Sequence, residues 1–234
     1  LEKGLEEGRQ ASASALREIL ERQEGCFPEG RGEDGLKPAE DRDILSQLSS
    51  HIPAEILPLY RQGRPLCLDD FSLLLHYALL SLDREGKDLS LYEGMSQELA
   101  GRLKNHLLDF TGWEGRISQL KTRQYTYTRI SRSLLHILLG MTKEDAAKAR
   151  EAGFAPYARV LGFRREAAPL LTQIKKKSAI PLITKMADCE RYVQGQALAM
   201  LRQDVYAAHL RQGAEALRYQ TAVRNEYTQP LCIL

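Results

Sequence analysis

Two tyrosines lie between basic residues in one stretch of the chain, Lys121 to Arg132, which reads KTRQYTYTRISR. If a helix runs through its second half, Arg129, Arg132 and His136 fall at i, i+3 and i+7 along one edge. Four apolar residues fall on the other side and are expected to face the core: Ile130, Leu134, Ile137 and Leu138. This spacing predicts an amphipathic helix with a cationic edge.

The residues before this helix add two further chemistries. Lys121 and Arg123 precede its first turn, where backbone N–H groups and cationic side chains can act on the same phosphate oxygens. Tyr125 and Tyr127 offer rings that can stack on an unpaired base. The pattern favours a nucleic-acid site, with two alternatives open: the tyrosines are core residues, or the stretch is a solvated basic surface.

A second basic cluster combines Arg164 and Arg165 with three consecutive lysines, Lys175, Lys176 and Lys177. Three consecutive side chains project around a helix, so they cannot all face one partner. Lysine near a helix C-terminus is also favoured by the helix dipole alone. Phosphate binding and a solvated helix end are both consistent with this cluster.

A third candidate is an anion site at the start of a predicted helix, Ala11 to Gln23. Ser12 and Ser14 carry hydroxyls beside its first N–H groups, and Arg17 follows Ser14 by three residues. An ordinary capped helix has the same features. The pattern taken alone therefore does not separate an anion site from a helix cap.

Other catalytic and metal signatures are missing from the sequence. The five histidines show no HxxxH or HExxH spacing, and the four cysteines form no CxxC pair. Reduced thiols in a cytoplasmic protein are the expected state of these cysteines. No nucleophile–base–acid triad and no glycine-rich phosphate loop can be identified, so we predict neither catalytic residues nor a metal site.

Charge is distributed unevenly along the chain, although the net charge is only +2. Residues 1–113 hold 13 Lys/Arg against 21 Asp/Glu, whereas residues 114–186 hold 15 against 5. A segment with a charge of +10 indicates a polyanionic partner, of which nucleic acid is the first candidate.

The periodicity of apolar residues predicts a mainly α protein. Beyond Ala11–Gln23, helices are expected at the ranges 43–50, 68–79, 92–110, 126–139, 143–153, 165–177 and 190–211. Gly140 stands where a helix C-terminus favours glycine, and Thr142 with Asp145 resembles a capping box. The apolar runs at 160–161 and 180–183 are expected to be strands or extended connectors.

Several of these segments together resemble one family. ASASALREI resembles the Ser-x-Ser/Thr-x-x-Arg element that closes the nucleotide site of HxGH-type nucleotidyltransferases. The strings KTRQYTYTRISRSLLHILLG, YARVLGF, IKKKSAIPLITK and YEGMSQELAGRL resemble segments of the bacterial tRNA(Met) cytidine acetate ligases. The resemblance extends from about Ala11 to Ile233.

The resemblance implies a reaction and a division of roles. These ligases activate acetate with ATP and magnesium as acetyl-adenylate, then transfer the acetyl group to the wobble cytidine N4 of elongator tRNA(Met). Ser12, Ser14 and Arg17 would contact ATP. Ten residues would hold tRNA: Lys121, Arg123, Tyr125, Arg129, Arg132, His136, Lys175, Lys176, Lys177 and Lys185.

The sequence departs from the family most seriously in that no His-x-Gly-His string occurs in it, and Gln124 and Tyr127 stand where the family resemblance implies basic residues. We therefore expect the chain to be a C-terminal portion that lacks the N-terminal catalytic half and is inactive by itself. The expected organisation is a remnant of a Rossmann-like nucleotidyltransferase domain at 1–25, a linker at 26–42 and a helical, basic tRNA-binding domain at 43–234. The alternative is a non-catalytic helical RNA-binding module.

Overall fold

A computed structural model describes residues 52–56 and 66–234 of the chain. The chain divides into two compact units, Leu1–Asp70 and Phe71–Leu234. In the first unit the described residues form a turn at 52–56 and most of a short 3-10 helix, Leu68–Phe71. The predicted helices at 11–23 and 43–50 and the Rossmann-like remnant lie outside the described residues. The domain boundaries at 25 and 42 therefore stay predictions.

The second unit is mainly helical, as predicted. Its helices are α1 (Ser72–Arg84), α2 (Gln97–Asn105), α3 (Trp113–Leu120), α4 (Tyr127–Leu138), α5 (Lys143–Glu151), α6 (Ala168–Lys177), α7 (Cys189–Tyr192) and α8 (Gly195–Tyr219). Short 3-10 helices lie at Leu89–Leu91 and Arg165–Ala167. Over the described ranges, none of the helices combines the length and the apolar character that crossing a membrane would need.

The first four helices enclose an apolar core. Each contributes fully buried side chains at helical spacing: Leu75 and Leu79, Leu99 and Leu103, Trp113 and Ile117, Ile130 and Leu134. Burial of each such side chain contributes about 1.5–3 kcal/mol. Helices α1 and α3 both pack against α4, and the Trp113 indole N–H donates to the Ser131 hydroxyl at 3.3 Å. This core holds α4 with one face inward and the other in solvent.

A second core lies around α7 and the first half of α8. It is formed by Ile183, Met186, Cys189, Val193, Leu201 and Val205. Helix α8 also reaches the end of α4, because the Gln203 amide donates to the Leu139 carbonyl at 2.6 Å. The two cores are therefore joined through the C-terminus of α4.

Four two-residue strands pair in parallel. Strand β1 (Ala158–Arg159) pairs with β3 (Leu182–Ile183), with Ala158 opposite Leu182. Strand β2 (Gly162–Phe163) pairs with β4 (Cys232–Ile233). The Val160 N–H continues the first ladder by donating to the Ile183 carbonyl at 3.0 Å. The prediction of extended structure near these apolar runs is confirmed.

Several predicted helix boundaries are wrong. The predicted helix at 92–110 is shorter, because Ser96 caps α2 by accepting from the Leu99 N–H at 3.1 Å. The predicted break around Trp113 is a helix, since burial of Trp113 outweighs the low helix propensity of Gly115. The long helix expected from 190 is interrupted at Val193 and Gln194, directly before Gly195, whose φ of +58° favours glycine.

Candidate nucleic-acid interface

Helix α4 presents the predicted cationic edge. Its core-facing side is buried at Ile130, Leu134, Ile137 and Leu138, as the spacing predicted. Arg129 and Arg132 are exposed on its other side. The helix ends as expected, with Gly140 at φ +70° directly after its last turn. Packing of the apolar face thus fixes which way the two guanidinium groups can point.

The loop before α4 is folded by Thr122. Its hydroxyl accepts from the backbone N–H groups of Gln124 and Tyr125, each at 3.2 Å. Lys121 and Arg123 are exposed in this loop. Thr126, the N-cap residue of α4, makes no side-chain cap hydrogen bond. Lys121 and Arg123 therefore lie within six residues of the start of α4, where the Thr126 side chain accepts no hydrogen bond from the first backbone N–H groups.

Tyr125 occupies a different place from the one predicted. Its residue is only 5% exposed, so its ring has no open face on which a base could stack. The hydroxyl lies 2.6 Å from the Ser96 hydroxyl and donates to the Glu98 carboxylate at 3.2 Å. The Arg129 guanidinium carbon lies 5.0 Å from the ring centroid. The stacking role expected for Tyr125 is wrong, and the ring instead supports an arginine.

His136 lies at the far end of the same edge. It is half-buried, and its Nδ1 lies 2.8 Å from the carbonyl oxygen of Glu93. That carbonyl can only accept, so Nδ1 donates and Nε2 is the acceptor of the neutral ring. His136 is thereby tied to the loop before α2.

The lysine cluster stands at the end of α6. Lys175, Lys176 and Lys177 are all exposed, and α6 has no buried residue at all. The Lys175 ammonium lies 5.8 Å from the ring centroid of Tyr192, a residue that is 56% exposed. Lys185, also exposed, follows β3 by two residues. This cluster therefore sits on separate elements from those that hold Arg129.

Tyr192 was not among the predicted site residues. It is an exposed aromatic residue beside the second basic cluster, whereas the sequence predicted exposed rings for base stacking only in the tyrosines before α4. Its position depends on α7 lying beside α6, which its own neighbours in the sequence do not indicate. A tyrosine directly after the basic residue Arg191 was the only local signal.

The predicted binding cations differ from other cations of the second unit in their partners. Over the described ranges, no carboxylate lies within ion-pair distance of Lys121, Arg123, Arg129, Arg132 or the three lysines of α6. Elsewhere Lys148 pairs with Glu144 at 2.6 Å, Arg202 with Glu190 at 2.6 Å and Arg211 with Glu215 at 2.8 Å. The candidate cations thus carry charge that no neighbouring carboxylate neutralises.

Two other predictions concern sites that the structure does not test. The proposed ATP contacts Ser12, Ser14 and Arg17 lie outside the described residues. Within residues 52–56 and 66–234, no group of three or more His, Cys, Asp or Glu side chains is arranged to hold a metal ion. In the same ranges, Cys189 and Cys232 are free thiols, the first buried and the second exposed.

Comparison with known proteins yields one family and a consistent group of relatives. The tRNA(Met) cytidine acetate ligase of Acetivibrio thermocellus is 33% identical over 148 residues, which cover 62% of this chain and 35% of that protein. The ligase of the same name from Caldanaerobacter subterraneus is 28% identical over 208 residues, which cover 86% of this chain and 44% of the relative. The matches thus cover less than half of either relative.

The fold is also shared with a solved structure. Thermotoga maritima TmcAL, crystallised with alpha-thio ATP, superimposes with a TM-score of 0.74 over 97% of this chain and 52% of its own, at 18% identity. The family described as HIGH Nucleotidyl Transferase matches residues 2–225 as one unit, so the match does not support a separation at residue 25. Because that match covers nearly the whole length, the chain belongs to the HIGH nucleotidyltransferase family.

Proposed function

We propose that this chain supplies the tRNA-binding surface of a tRNA(Met) cytidine acetate ligase. The relatives from Acetivibrio and Caldanaerobacter carry that name, and a tRNA is the substrate that the name states. The observation that carries the proposal is the set of exposed cations on α4 and α6, for which no carboxylate of residues 52–56 or 66–234 lies within ion-pair distance. A polyphosphate strand is the partner that neutralises such a set.

The two clusters would contribute differently to binding. Guanidinium groups of Arg129 and Arg132 can each bind a phosphate through two parallel N–H groups, which fixes the register of the backbone. The lysines of α6 act as point charges and add affinity with less geometric demand. Tyr192, exposed beside Lys175, is placed to stack on an unpaired base. Most of the affinity would thus be electrostatic.

ATP would be the second substrate. The Thermotoga neighbour was crystallised with an ATP analogue, and the family is one of nucleotidyltransferases. Ser12, Ser14 and Arg17 remain our proposed contacts to its phosphates, through the family motif that they resemble. Acetate and magnesium enter the proposal through the same resemblance. We further propose that residues 1–234 alone bind tRNA without activating acetate.

A non-catalytic RNA-binding module is the second candidate. The exposed cations of α4 and α6 favour it as much as they favour a ligase surface, because phosphate contacts carry no sequence information. Such a module would bind many RNAs equally through phosphate contacts. A ligase surface would prefer elongator tRNA(Met) over an unrelated tRNA of the same length, so competition between these two RNAs separates the candidates.

The salt dependence of tRNA binding tests the cationic surface. Elongator tRNA(Met) transcript is titrated with the chain at several salt concentrations, because each neutralised phosphate adds about 0.7–0.9 to the slope of log K against log salt. Replacing Arg129 and Arg132 together by Ala should lower that slope by about 1.4–1.8. Helical circular dichroism should stay unchanged, since both side chains are exposed.

Lys148→Ala is the matched control for this experiment. It also removes an exposed cation, but one that Glu144 already neutralises. Its slope should equal that of the unmodified chain. A double variant with an unchanged slope, or a control with an equal loss, would exclude the α4 edge as the binding surface.

A further inference from the structure

Two groups hold the hydroxyl end of Tyr125, the hydroxyl of Ser96 and the carboxylate of Glu98. Its ring is buried, and its hydroxyl donates to the Glu98 carboxylate at 3.2 Å. The same oxygen lies 2.6 Å from the Ser96 hydroxyl, and Ser96 is itself held by the Leu99 N–H as the cap of α2. The side chain therefore cannot swing away from this position without breaking contacts to the cap residue and the first turn of α2.

Arg129 lies over this fixed ring. Its guanidinium carbon is 5.0 Å from the ring centroid, and its residue is exposed. A cation over an aromatic face is attracted by the ring's negative face. The phenol's hydrogen bond to a carboxylate increases electron density on the ring and so strengthens this attraction. The N–H groups of Arg129 that point away from the ring stay available to a ligand.

We infer that Tyr125 is a positioning residue that holds Arg129 in the orientation in which it binds a tRNA phosphate. This inference rests on the proposed function. A long, exposed arginine side chain otherwise loses rotamer freedom when it binds. Because the ring already restricts the guanidinium in the free protein, less rotamer freedom is lost when the phosphate binds. Tyr125 thus contributes to tRNA affinity without touching the RNA.

The second basic cluster offers a contrast. There the Lys175 ammonium lies 5.8 Å from the Tyr192 ring centroid, and Tyr192 is itself exposed. An exposed ring can contact RNA directly, whereas a buried ring such as Tyr125 can act only through the cation above it. We therefore expect the two pairs to differ in a double-mutant cycle on tRNA affinity. Loss of the Tyr125 ring should weaken binding only while Arg129 is present, whereas loss of the Tyr192 ring should weaken binding even without Lys175.

The experiment is a double-mutant cycle on the Kd for elongator tRNA(Met) transcript at fixed salt. Tyr125→Leu should weaken binding about 2- to 5-fold, the fold-change that corresponds to an exposed cation–π contact. The same substitution in an Arg129→Ala background should change binding by less than about 1.5-fold, because the cation that it positions is gone. Tyr125→Phe keeps the ring but loses the hydroxyl contacts to Ser96 and Glu98, so its affinity should lie between those of the unmodified chain and Tyr125→Leu.

The outcomes separate this inference from the proposed function. If Arg129→Ala weakens binding but Tyr125→Leu does not, the positioning role is wrong and the cationic surface stands. An equal loss from Tyr125→Leu with and without Arg129 would also overturn it. If Arg129→Ala and the Arg129/Arg132 double variant both leave binding unchanged, the proposed surface itself is wrong.

A measurement on the unmodified chain guards against a Tyr125→Leu variant that fails to fold. Proton NMR should show the Arg129 δ-methylene resonances shifted upfield by the ring current of Tyr125. Tyr125→Phe should retain the shift. Arg129 δ resonances at their ordinary positions in the unmodified chain would mean that the ring does not hold the side chain, and the inference would fail.

Discussion

At the scale of single residues, Arg116 is the most deeply buried charged residue of the second unit. It is 2% exposed, and its guanidinium donates to the backbone carbonyls of His106 at 2.6 Å and Asp109 at 2.9 Å. Burial lowers the pKa of Arg116, and the nearby Asp109 carboxylate opposes that shift. An arginine stays protonated under these conditions. Its role is structural, because it satisfies carbonyls just beyond the C-terminus of α2.

His76 faces this buried cation. Its Nδ1 lies 3.4 Å from the second terminal nitrogen of Arg116, and its ring meets Phe110 edge to face at a centroid distance of 5.0 Å. Burial and the positive charge of Arg116 lower the pKa of His76 from its ordinary 6.5. The folded state therefore keeps the imidazole neutral at a pH where the unfolded chain would protonate it.

This lowered pKa predicts a pH-dependent stability. As the pH falls below about 6.5, the unfolded state binds a proton that the folded state does not yet accept, so the free energy of unfolding decreases. The loss is complete once the pH is below the folded pKa.

His76→Gln keeps an acceptor for Arg116 but does not titrate. Urea unfolding between pH 5 and 8 should show the stability of the unmodified chain falling more steeply toward pH 5 than that of the variant. Parallel pH curves would contradict the assignment.

The exposure of a side chain could be predicted from the sequence where it depends on its own helix, but not where it depends on a distant segment. The exposure of Arg129 and Arg132 follows from the apolar face of the same helix, so local spacing was enough to predict it. The burial of Tyr125 depends on Ser96 and Glu98, which lie 29 and 27 residues earlier in the chain. Periodicity within one segment contains no information about such partners.

At the scale of elements, the helices with strong local signals were predicted accurately. Helix α4 was expected at 126–139 and spans Tyr127–Leu138, because its apolar spacing and Gly140 agree. Helix α5 was expected from its capping box, and that box is present. Helix α3 was missed because its propensity is poor and its stability comes from the burial of Trp113 and Ile117.

Helix α5 depends on its cap to an unusual degree, since none of its residues is buried. The Thr142 hydroxyl accepts from the Asp145 N–H at 3.1 Å, and the Asp145 carboxylate accepts from the Thr142 N–H at 2.9 Å. Thr142→Ala removes the first of these bonds and should lower the free energy of unfolding by about 1 kcal/mol. Urea denaturation followed by circular dichroism measures this difference.

Lys143→Ala is the comparison for the cap variant. It changes the adjacent, exposed residue without touching either hydrogen bond of the box, and surface changes of this kind usually stay within about 0.5 kcal/mol. Equal stability of the two variants would mean that the box contributes nothing to the helix. A selective loss in Thr142→Ala would confirm that local hydrogen bonds, in place of burial, hold α5.

At the scale of the whole molecule, the distribution of charge predicts a class of partner, whereas the structural similarity shows the fold alone. The segment with a charge of +10 includes both α4 and α6, and its acidic counterpart lies earlier in the chain. The fold is shared with a Thermotoga protein at 18% identity, so the architecture persists where most residues differ. Composition could predict a polyanionic partner, but it could not predict which cations lack carboxylate partners. That distinction depends on contacts between elements.

The last prediction concerns what residues 1–234 can do alone. The sequence contains no His-x-Gly-His string, the element that the family resemblance assigns to polarising the ATP phosphates. The proposed contacts, Arg17 and two hydroxyls, would supply charge-assisted bonds of about 1.5–3 kcal/mol each, or about 4.5–9 kcal/mol together. This sum reaches only the low end of the roughly 8–23 kcal/mol by which enzymes lower activation barriers. The purified chain should therefore give no acetate-dependent exchange of pyrophosphate into ATP above background, while it still binds tRNA. The tRNA(Met) cytidine acetate ligase of Acetivibrio thermocellus serves as the positive control for the exchange assay. Exchange by the chain itself would contradict the prediction, and loss of that exchange in Arg17→Ala would then place the reaction at the predicted phosphate contacts.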